Sequence, residues 1–420
     1  MSINIRILGA GQEVGRNAIE IIHDDSSILL DYGAYFNSTV DFPLPPNIKK
    51  LKGIICSHGH LDHSAGLPLI YGSSRPPPLY INSMTLDLIN LLLYDFIKIA
   101  KDKIQFDSSV LNLMNKYITI KDNYSEFYID NFYIKTLSAG HIPGSWIVLV
   151  EVKNKKILYT GDINVYDSFL LKSADIVNEP IDLMICESTY ACINHMKREI
   201  LINELVNRTL EVLENGGNVL IPSFSVGRSQ EIACIFEENK LDYPIYMDGM
   251  ARAASEIMLK HPEFFKNYEL LKRAISNLNI INSKKDRKEA MNEPSVIISP
   301  AGMLKGGAAI YYVNRIAKDP KSAIFFVGYL SKDTPGREIL EKRVIQSEKG
   351  IEPVLAQLDW FGISSHADMS GLINYIKRVS PEKLILIHGE YFRMVEMSKL
   401  IKEELGIECL IPKNGEEFQI

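Results

Sequence analysis

The first part of the chain alternates apolar and polar residues with the two-residue period of β-strands. Residues 3–8, 18–22 and 28–31 show this alternation, and the short segments between them predict a meander of strands. The apolar run at 51–56 predicts another strand, and Gly59 interrupts regular structure just after it. We therefore expect a strand-rich first part, with helical segments appearing later.

Between Glu187 and His366 the pattern changes to helices and strands that alternate. Short apolar strands separated by amphipathic helices predict a small parallel, Rossmann-like sheet, which would be a separate domain. A helix at 369–377 and a strand at 384–387 then return the chain to the first domain. The alternating segments are 201–213 (helix), 219–221 (strand), 228–237 (helix) and 245–247 (strand).

Six of the nine histidines lie in four short motifs. The first motif is SHGHLDH at 57–63, which we expect to form a loop at the carboxyl end of the strand at 51–56, where α/β proteins build their sites. Imidazole nitrogens and carboxylate oxygens are the ligands of catalytic zinc sites, which keep one position open for water. The motif therefore predicts a catalytic metal site rather than a structural one.

His141 and Asp162 are further candidate ligands. His141 lies within SAGHIPGS at 138–145 and Asp162 within YTGDIN at 159–164, each after a strand-like run. Alone, a histidine between glycines or a Gly-Asp pair is more often a turn residue. Their order after the histidine-rich motif favours the interpretation that they complete a site for two metal ions.

In this order, and preceded by LLDYG at 29–33, the motifs resemble those of the metallo-β-lactamase superfamily. Three later motifs are similar to those of the β-CASP nucleases within this superfamily. Two motifs, ESTY and GQEVGR, resemble those of the nuclease subunits of the cleavage and polyadenylation specificity factor and of their archaeal and bacterial relatives. They resemble those of the RNase J branch less. The three later motifs are ESTY (187–190), SSHAD (364–368) and IHGE (387–390), with GAGQEVGRN (9–17) resembling the family's N-terminus.

The resemblance spans nearly the whole chain and implies a fold of the α/β class. The expected architecture is a metallo-β-lactamase αββα sandwich with an inserted Rossmann-like β-CASP α/β domain and no appended RNA-binding module. The expected domain limits are 1–190 and 359–420 for the two parts of the sandwich and 191–358 for the insertion.

The resemblance also implies that the protein holds two zinc ions, with a water shared between them, and it implies which residues bind these ions. The two ions would lower the pKa of this water from about 15.7 toward neutrality and so supply a hydroxide aimed at phosphorus. Asp31 is expected to orient a ligand rather than to bind metal. The implied ligands are His58, His60, His141 and Asp162 for the first ion and Asp62, His63, Asp162 and His388 for the second, with Asp162 bridging.

The catalytic residues implied by the resemblance are Asp62, Glu187 and His366. His366 would protonate the departing 3′-oxygen, a contribution of about 10²- to 10⁴-fold. Glu187 would hold His366 and keep it protonated by raising its pKa. His388 favours RNA as substrate, because family members that process DNA tend to carry an apolar residue there.

Substrate phosphates are expected to bind on glycine-containing turns in the middle of the chain. Ser223, Ser225 and Arg228 lie between a strand and a helix, where backbone amides and the helix dipole favour an anion. Arg252 and Arg337 would add guanidinium groups on similar turns. A surface salt bridge is the alternative for each arginine.

Composition limits the kinds of partner without choosing among enzymes. The net charge of −6 argues against nucleic-acid binding driven by overall charge, so contacts with RNA must be local. The most apolar helical stretch, at 86–100, carries four polar or charged residues and predicts a surface helix, not a membrane span. The five cysteines lack CxxC spacing and are expected to be free, buried thiols.

We therefore expect a cytoplasmic, zinc-dependent ribonuclease that cuts within single-stranded RNA and leaves 5′-phosphate and 3′-hydroxyl ends. A 5′-to-3′ exonuclease would use the same site. A small-ester metallo-hydrolase and a non-catalytic RNA-binding scaffold are alternatives from other classes. A homodimer formed through a strand at 408–411, or membership of an RNA-processing complex, also stays open.

Overall fold

The computed structural model describes residues 2–36, 39–72, 75–331, 334–347 and 350–420. Its strands, in chain order, are β1 (Ile3–Gly9), β2 (Ala18–His23), β3 (Ser26–Leu30), β4 (Tyr35–Phe36), β5 (Val40–Asp41), β6 (Leu51–Ile55), β7 (Leu79–Ile81), β8 (Ile118–Ile120), β9 (Glu126–Ile129), β10 (Phe132–Ser138), β11 (Trp146–Val152), β12 (Lys155–Tyr159), β13 (Leu183–Glu187), β14 (Val219–Pro222), β15 (Ile245–Met247), β16 (Asn279–Ile280), β17 (Val296–Ser299), β18 (Ala323–Phe326), β19 (Val344–Ser347), β20 (Gly350–Pro353), β21 (Gln357–Trp360), β22 (Lys383–Ile387), β23 (Cys409–Leu410) and β24 (Glu417–Gln419).

The α-helices are α1 (Leu61–Ser64), α2 (Leu67–Tyr71), α3 (Ser83–Ala100), α4 (Ser108–Met114), α5 (Arg198–Glu214), α6 (Arg228–Glu238), α7 (Met250–Met258), α8 (Tyr268–Ser276), α9 (Lys284–Glu289), α10 (Ala309–Ile316), α11 (Pro335–Lys342), α12 (Met369–Val379) and α13 (Tyr391–Leu405). Among the helices that the structure describes, none is long and apolar enough to cross a membrane.

The chain divides into two compact units. The first consists of Met1–Asp167, Lys172–Asn194 and His366–Ile420, and the second of Ser168–Leu171 and His195–Ser365. The domain limits expected from the sequence, at 190/191 and 358/359, stay predictions.

The first unit contains two sheets that pack face to face. One has the order β24-β1-β2-β3-β6-β7-β8 and the other β23-β22-β13-β12-β11-β10-β9. Because side chains alternate between the two faces of a strand, Trp146, Val148 and Val150 of β11 point into the core between the sheets, whereas Ile147 and Leu149 point away from it. This core buries Ile5, Ile19, Ile28, Val148, Ile157 and Ile185, among others.

Helices cover the outer face of each sheet. Ile54 of the first sheet packs in one cluster with Ile89 and Leu93 of α3. Met184 of the second sheet packs in another cluster with Leu372 of α12 and residues of α13. The layers are therefore helix, sheet, sheet and helix, and the αββα sandwich expected from the resemblance is confirmed.

The second unit is built on a six-stranded sheet with the order β16-β15-β17-β14-β18-β21. All of its strand pairs are parallel. Every residue of β14, β17 and β18 is buried, as expected for strands covered on both faces. The inserted, Rossmann-like α/β sheet is therefore also confirmed.

Two local expectations were wrong. Residues 57–63 do not form a loop throughout, because the backbone turns into the one-turn helix α1 at Leu61. The amides of His63 and Ser64 both donate to the carbonyl of His60 at 3.0 Å, which closes this turn. Of the five free cysteines, Cys192 is exposed and Cys409 is half-buried rather than buried.

Candidate active site

The predicted ligands of the first unit lie where strands end. The run at 57–63 follows β6, His141 follows β10, Asp162 follows β12 and His388 follows β22. Strands β12, β13 and β22 are mutually parallel, and β10 runs in the same direction because two antiparallel steps separate it from β12. The carboxyl ends of these strands therefore meet at one edge of the second sheet.

Nitrogens of His58, His60 and His141 gather beside Asp162. His60 Nδ1 lies 3.3 Å from His58 Nε2 and 3.1 Å from His141 Nε2. Asp162 Oδ2 lies 3.6 Å from His58 Nε2 and 3.7 Å from His141 Nε2. Ligands about 2.0–2.1 Å from a tetrahedral zinc are about 3.3 Å apart, so these spacings suit a zinc-sized ion.

A second group of donors surrounds the other oxygen of Asp162. Asp162 Oδ1 lies 3.3 Å from His63 Nε2 and 3.3 Å from His388 Nδ1. Asp62 Oδ2 lies 3.3 Å from His388 Nε2. In each of the two groups, one donor atom from each residue lies within 4.8 Å of the others.

Asp162 itself provides the test of whether cations fit. Its side chain is 2% exposed, and among the described residues Oδ1 accepts no well-directed hydrogen bond, although His63 Nε2 and His388 Nδ1 face it at 3.3 Å. A buried carboxylate is costly unless nearby positive charge and well-directed hydrogen bonds compensate its own charge. The donor set of imidazole nitrogens and carboxylate oxygens is also the one that zinc prefers. The site therefore fits divalent cations.

Asp31 orients His63. Its Oδ2 lies 2.7 Å from His63 Nδ1, and because a carboxylate only accepts hydrogen bonds, Nδ1 carries the proton. The same carboxylate accepts hydrogen bonds from the Ser57 amide at 2.6 Å, the Ser57 hydroxyl at 2.7 Å and the Tyr159 hydroxyl at 2.6 Å. His63 Nε2 is thereby left to face Asp162.

His366 and Glu187 form a pair next to the ligand groups. His366 Nδ1 lies 2.9 Å and 3.1 Å from the two carboxylate oxygens of Glu187. Glu187 is buried, and it also accepts the Ile163 amide at 2.9 Å and the Thr189 hydroxyl at 2.6 Å. The opposite ring nitrogen, Nε2, lies 3.9 Å from Asp162 Oδ2.

Burial and carboxylates give the histidines different pKa values. Burial lowers the pKa of His60 to about 4, so its imidazole is neutral and can bind metal without losing a proton. Burial also acts to lower the pKa of His63, but Asp162 and Asp31 outweigh it and raise this pKa well above its usual value. Burial also acts to lower the pKa of His366, but Glu187 and Asp162 outweigh it and raise this pKa to about 9.

The five predicted phosphate contacts lie in the second unit. Ser223 is buried with its hydroxyl 2.7 Å from that of Ser229, and the Ser225 carbonyl accepts a hydrogen bond from Gln230 at 3.0 Å. Arg228 begins α6.

The two arginines expected on turns lie on helices instead. Arg252 is the third residue of α7, and its guanidinium donates to the Ile281 carbonyl at 3.3 Å and to Asn282. Arg337 is the third residue of α11 and pairs with Glu341 at 2.6 Å, which is the surface salt bridge of the alternative interpretation. The expected turns are helix starts instead, because α7 begins directly after Gly249 and Thr334 caps α11.

Several residues around the ligands were missed from the sequence. The Asn17 amide nitrogen lies 2.8 Å from His63 Nε2, and the Thr189 hydroxyl joins Glu187 to His388 Nδ1 at 3.1 Å. Tyr159 donates to Asp31. Each lies within a quoted motif, but the motif did not indicate which side chains it contacts.

Fold and site together define a hydrolase of the metallo-β-lactamase type, and comparison with known proteins narrows this class. The Beta-Casp domain matches residues 229–339, the Zn-dependent metallo-hydrolase RNA specificity domain matches residues 351–412, and the anti-Pycsar protein Apyc1 family matches residues 4–197.

Relatives match along the whole chain. The sequence is 39% identical to RNase aCSPSF2 of Saccharolobus solfataricus, in a match that covers 100% of this chain and 86% of that protein. It is 36% identical to Probable RNase MJ4 of Methanocaldococcus jannaschii, covering 98% and 99% of the two chains. It is 30% identical to Transcription termination factor FttA of Pyrococcus abyssi, covering 99% and 71%.

The chain therefore belongs to the β-CASP ribonuclease family, in the branch similar to the nuclease subunits of the cleavage and polyadenylation specificity factor, and is a metal-dependent ribonuclease.

Proposed function

We propose that this protein hydrolyses phosphodiester bonds within single-stranded RNA by using two zinc ions, and that it leaves 5′-phosphate and 3′-hydroxyl ends. The observation that carries the proposal is the position of Asp162, whose two carboxylate oxygens face two different groups of donors. The proposed ligands are His58, His60, His141 and Asp162 for one ion and Asp62, His63, Asp162 and His388 for the other.

The chain's residues would place the ions and the scissile phosphate. When bound, divalent cations lower the pKa of a coordinated water and neutralise charge on the phosphate oxygens. Asp62 has a double role in this proposal: its carboxylate, which faces His388, would bind one ion and would also orient the attacking oxygen. Asp31 would keep His63 Nε2 directed at Asp162.

His366 is the proposed general acid. As the bond between phosphorus and the 3′-oxygen breaks, a proton from His366 Nε2 would pass to that oxygen and give the 3′-hydroxyl. Glu187 holds Nδ1 and so leaves Nε2 for the substrate. General acid catalysis of this kind contributes about 10²- to 10⁴-fold.

RNA as substrate is supported by the matched RNA specificity domain and by the names of the relatives, two of which are called RNases. Ser223, Ser225, Arg228, Arg252 and Arg337 stay proposed contacts to its phosphates. Arg228 is the best supported of these five contacts, because it begins a helix whose first backbone amides favour an anion.

The test is cleavage of two forms of one RNA, a covalently closed circle and a 5′-labelled linear strand, by the wild type and by His388→Ala. Metal content is measured on the same samples, and His23→Ala, which changes a histidine outside both donor groups, is the matched control. Cutting of the circle with about two zinc ions per chain, lost in His388→Ala but kept in the control, is the expected result.

Other outcomes identify the alternatives. Mononucleotides released only from the linear RNA would mean 5′-to-3′ exonuclease action at the same site. Binding of RNA without cleavage, with less than one metal ion per chain, would support a scaffold. Hydrolysis of small esters without cleavage of RNA would support the ester hydrolase.

Assembly is a separate part of the proposal. The strand β23 ends the order of the second sheet, so a second copy could add a strand to it and form a homodimer. Light scattering of the purified chain tests this: a monomeric mass at micromolar concentration would exclude the homodimer. Membership of an RNA-processing complex is tested by a pull-down with this protein as bait and identification of the proteins that it retains.

A further inference from the structure

Two segments that are far apart in sequence are joined beside His366. One is 163–166, directly after Asp162, and the other is 366–369, at the start of α12. The Ala367 amide donates to the Ile163 carbonyl at 2.7 Å. The Tyr166 hydroxyl donates to Asp368 Oδ1 at 2.9 Å, across 202 positions of sequence. These two hydrogen bonds connect the backbone around the proposed acid to the backbone around the proposed bridging ligand.

Asp368 is the N-cap of α12, and its side chain is buried. Oδ1 accepts the Gly371 amide at 2.8 Å, which is the capping bond, and the hydroxyl of Tyr166 meets the same oxygen. The cap alone ties Asp368 to its own helix. The Tyr166 hydroxyl adds a bond to a different segment, and together with the hydrogen bonds from the Ala367 and Met369 amides it fixes where the start of the helix lies relative to Asp162.

The packing at this junction is close. A Cβ atom on Gly371 would lie 2.6 Å from Val165 Cγ2, 2.9 Å from Asp368 Oδ1 and 3.1 Å from the Tyr166 hydroxyl. The helix start consequently approaches the 163–166 segment more closely than any side chain at 371 would allow. Gly371, which has no side chain, and the hydrogen bond of the Tyr166 hydroxyl therefore both affect the same close contact between the start of α12 and residues 163–166.

We propose that Tyr166 is a positioning residue for His366 and thereby for departure of the leaving group. This inference rests on the proposed function, in which His366 protonates the 3′-oxygen. Glu187 holds one ring nitrogen of His366, and the ring packs against that of His141 with centroids 4.4 Å apart, so the direction of Nε2 also depends on the backbone at 366–368 that carries the ring. The Tyr166 hydroxyl, acting through Asp368, holds that backbone in place.

Proton transfer from His366 makes the positioning role of Tyr166 measurable. A misplacement of about 1 Å at a catalytic group costs up to about 10²-fold in rate. The cost falls on the step in which the proton passes from His366 to the oxygen while the bond from phosphorus to that oxygen breaks. A leaving thiolate needs no such proton, because thiols have a pKa of about 8.5 and leave readily as anions.

The experiment compares Tyr166→Phe with the wild type on two RNAs of identical sequence. One has the natural 3′-oxygen at the mapped cleavage site, and the other has sulfur in its place. We expect kcat for the natural RNA to fall about tenfold or more in Tyr166→Phe, with KM, zinc content and Tm near those of the wild type, whereas kcat for the sulfur-containing RNA changes less than about twofold.

Two further variants support the comparison. Gly371→Ala, which forces the same contact apart, is expected to show the same selective loss. Tyr94→Phe is the matched control, because Tyr94 is 40% exposed against 43% for Tyr166 and lies on α3, away from this junction; it should leave both rates unchanged.

His366→Ala separates failure of the inference from failure of the proposed function. If His366→Ala loses cleavage of the natural RNA but retains cleavage of the sulfur-containing RNA, the acid role stands. An unchanged natural rate in Tyr166→Phe, or an equal loss on both RNAs, then overturns the positioning role alone. If His366→Ala slows neither RNA, or both equally, the proposed acid is wrong and the inference fails with it.

Discussion

Asp31 shows how much of the site depends on one carboxylate that is not itself a proposed ligand. It accepts four hydrogen bonds from the Ser57 amide, the Ser57 hydroxyl, Tyr159 and His63, and all of these groups are buried. Water cannot replace a lost partner at such depth, so removal of the carboxylate leaves donors unsatisfied. The orientation of His63 thus depends on a residue 32 positions away.

We expect Asp31→Asn to lower zinc affinity about 10- to 100-fold, because asparagine has no charge and only one acceptor oxygen, whereas Asp31 accepts hydrogen bonds on both of its oxygens. Zinc titration and elemental analysis measure this. Asp102→Asn, at an exposed carboxylate, is the control. Wild-type zinc affinity in Asp31→Asn would show that His63 is oriented by other groups.

Arg252 allows a test of the proposed phosphate contacts. If it binds a phosphate, Arg252→Ala should weaken binding to all RNA sequences alike and reduce the slope of log affinity against log salt by about one. Arg273→Ala, at an exposed arginine of α8, is the matched control. Equal slopes for wild type and Arg252→Ala would mean that Arg252 only bonds its protein neighbours.

At the scale of elements, α1 is held by contacts to the chain segments just before β2 and just after β3. The Asn17 amide donates to the Asp62 carbonyl at 2.7 Å, and the Ala34 amide donates to the Leu61 carbonyl at 3.0 Å. Between these bonds lies Gly33, where any Cβ atom would overlap the carbonyl oxygen of Asp62. The position of Asp62 and His63 therefore requires a residue without a side chain at 33.

We expect Gly33→Ala to displace α1, to cost about 1–3 kcal/mol of stability by overpacking, and to lower zinc content together with activity. Thermal unfolding and zinc analysis check this. Gly72→Ala is the control, because among the described residues the nearest atom to its Cβ would be the Leu69 carbonyl oxygen at an ordinary 3.7 Å. A normal Tm and normal zinc content in Gly33→Ala would contradict the account of α1.

At the scale of the whole molecule, the site gathers residues from position 31 to position 388 of the chain, so bound cations connect distant parts of the first unit. A ligand that binds only the folded state stabilises it by about 2.7 kcal/mol at one hundred times its Kd. Buried Asp162, whose Oδ1 accepts no well-directed hydrogen bond among the described residues, should contribute most to this coupling.

We accordingly expect chelation with EDTA to abolish RNA cleavage and to lower Tm by several degrees, with both restored by added zinc. In Asp162→Asn, whose side chain lacks the charge, chelation should change Tm much less. A wild-type Tm that is insensitive to chelation would mean that the site contributes little to folding.

The sequence by itself determined the elements and the chemical class. The strand at 245–247 and the start of α12 at 369 agree with their expected positions, because the period of apolar residues and the N-cap aspartate are local signals. The histidine motifs likewise indicated a metal site, because the ligand types are a property of the residues themselves. The helix α1 was missed because it is a single turn, too short to have a period.

Only the tertiary structure decided which side chains meet. The division of the Asp162 oxygens between two donor groups, the hydrogen bond from Asp31 to His63 and the bond from Tyr166 to Asp368 all join segments that are remote in sequence. Such pairs depend on sheet order and on the packing of α12 against the second sheet, which no local pattern encodes. The residue types therefore set what chemistry is available, and the packing of the sheets set which atoms perform it.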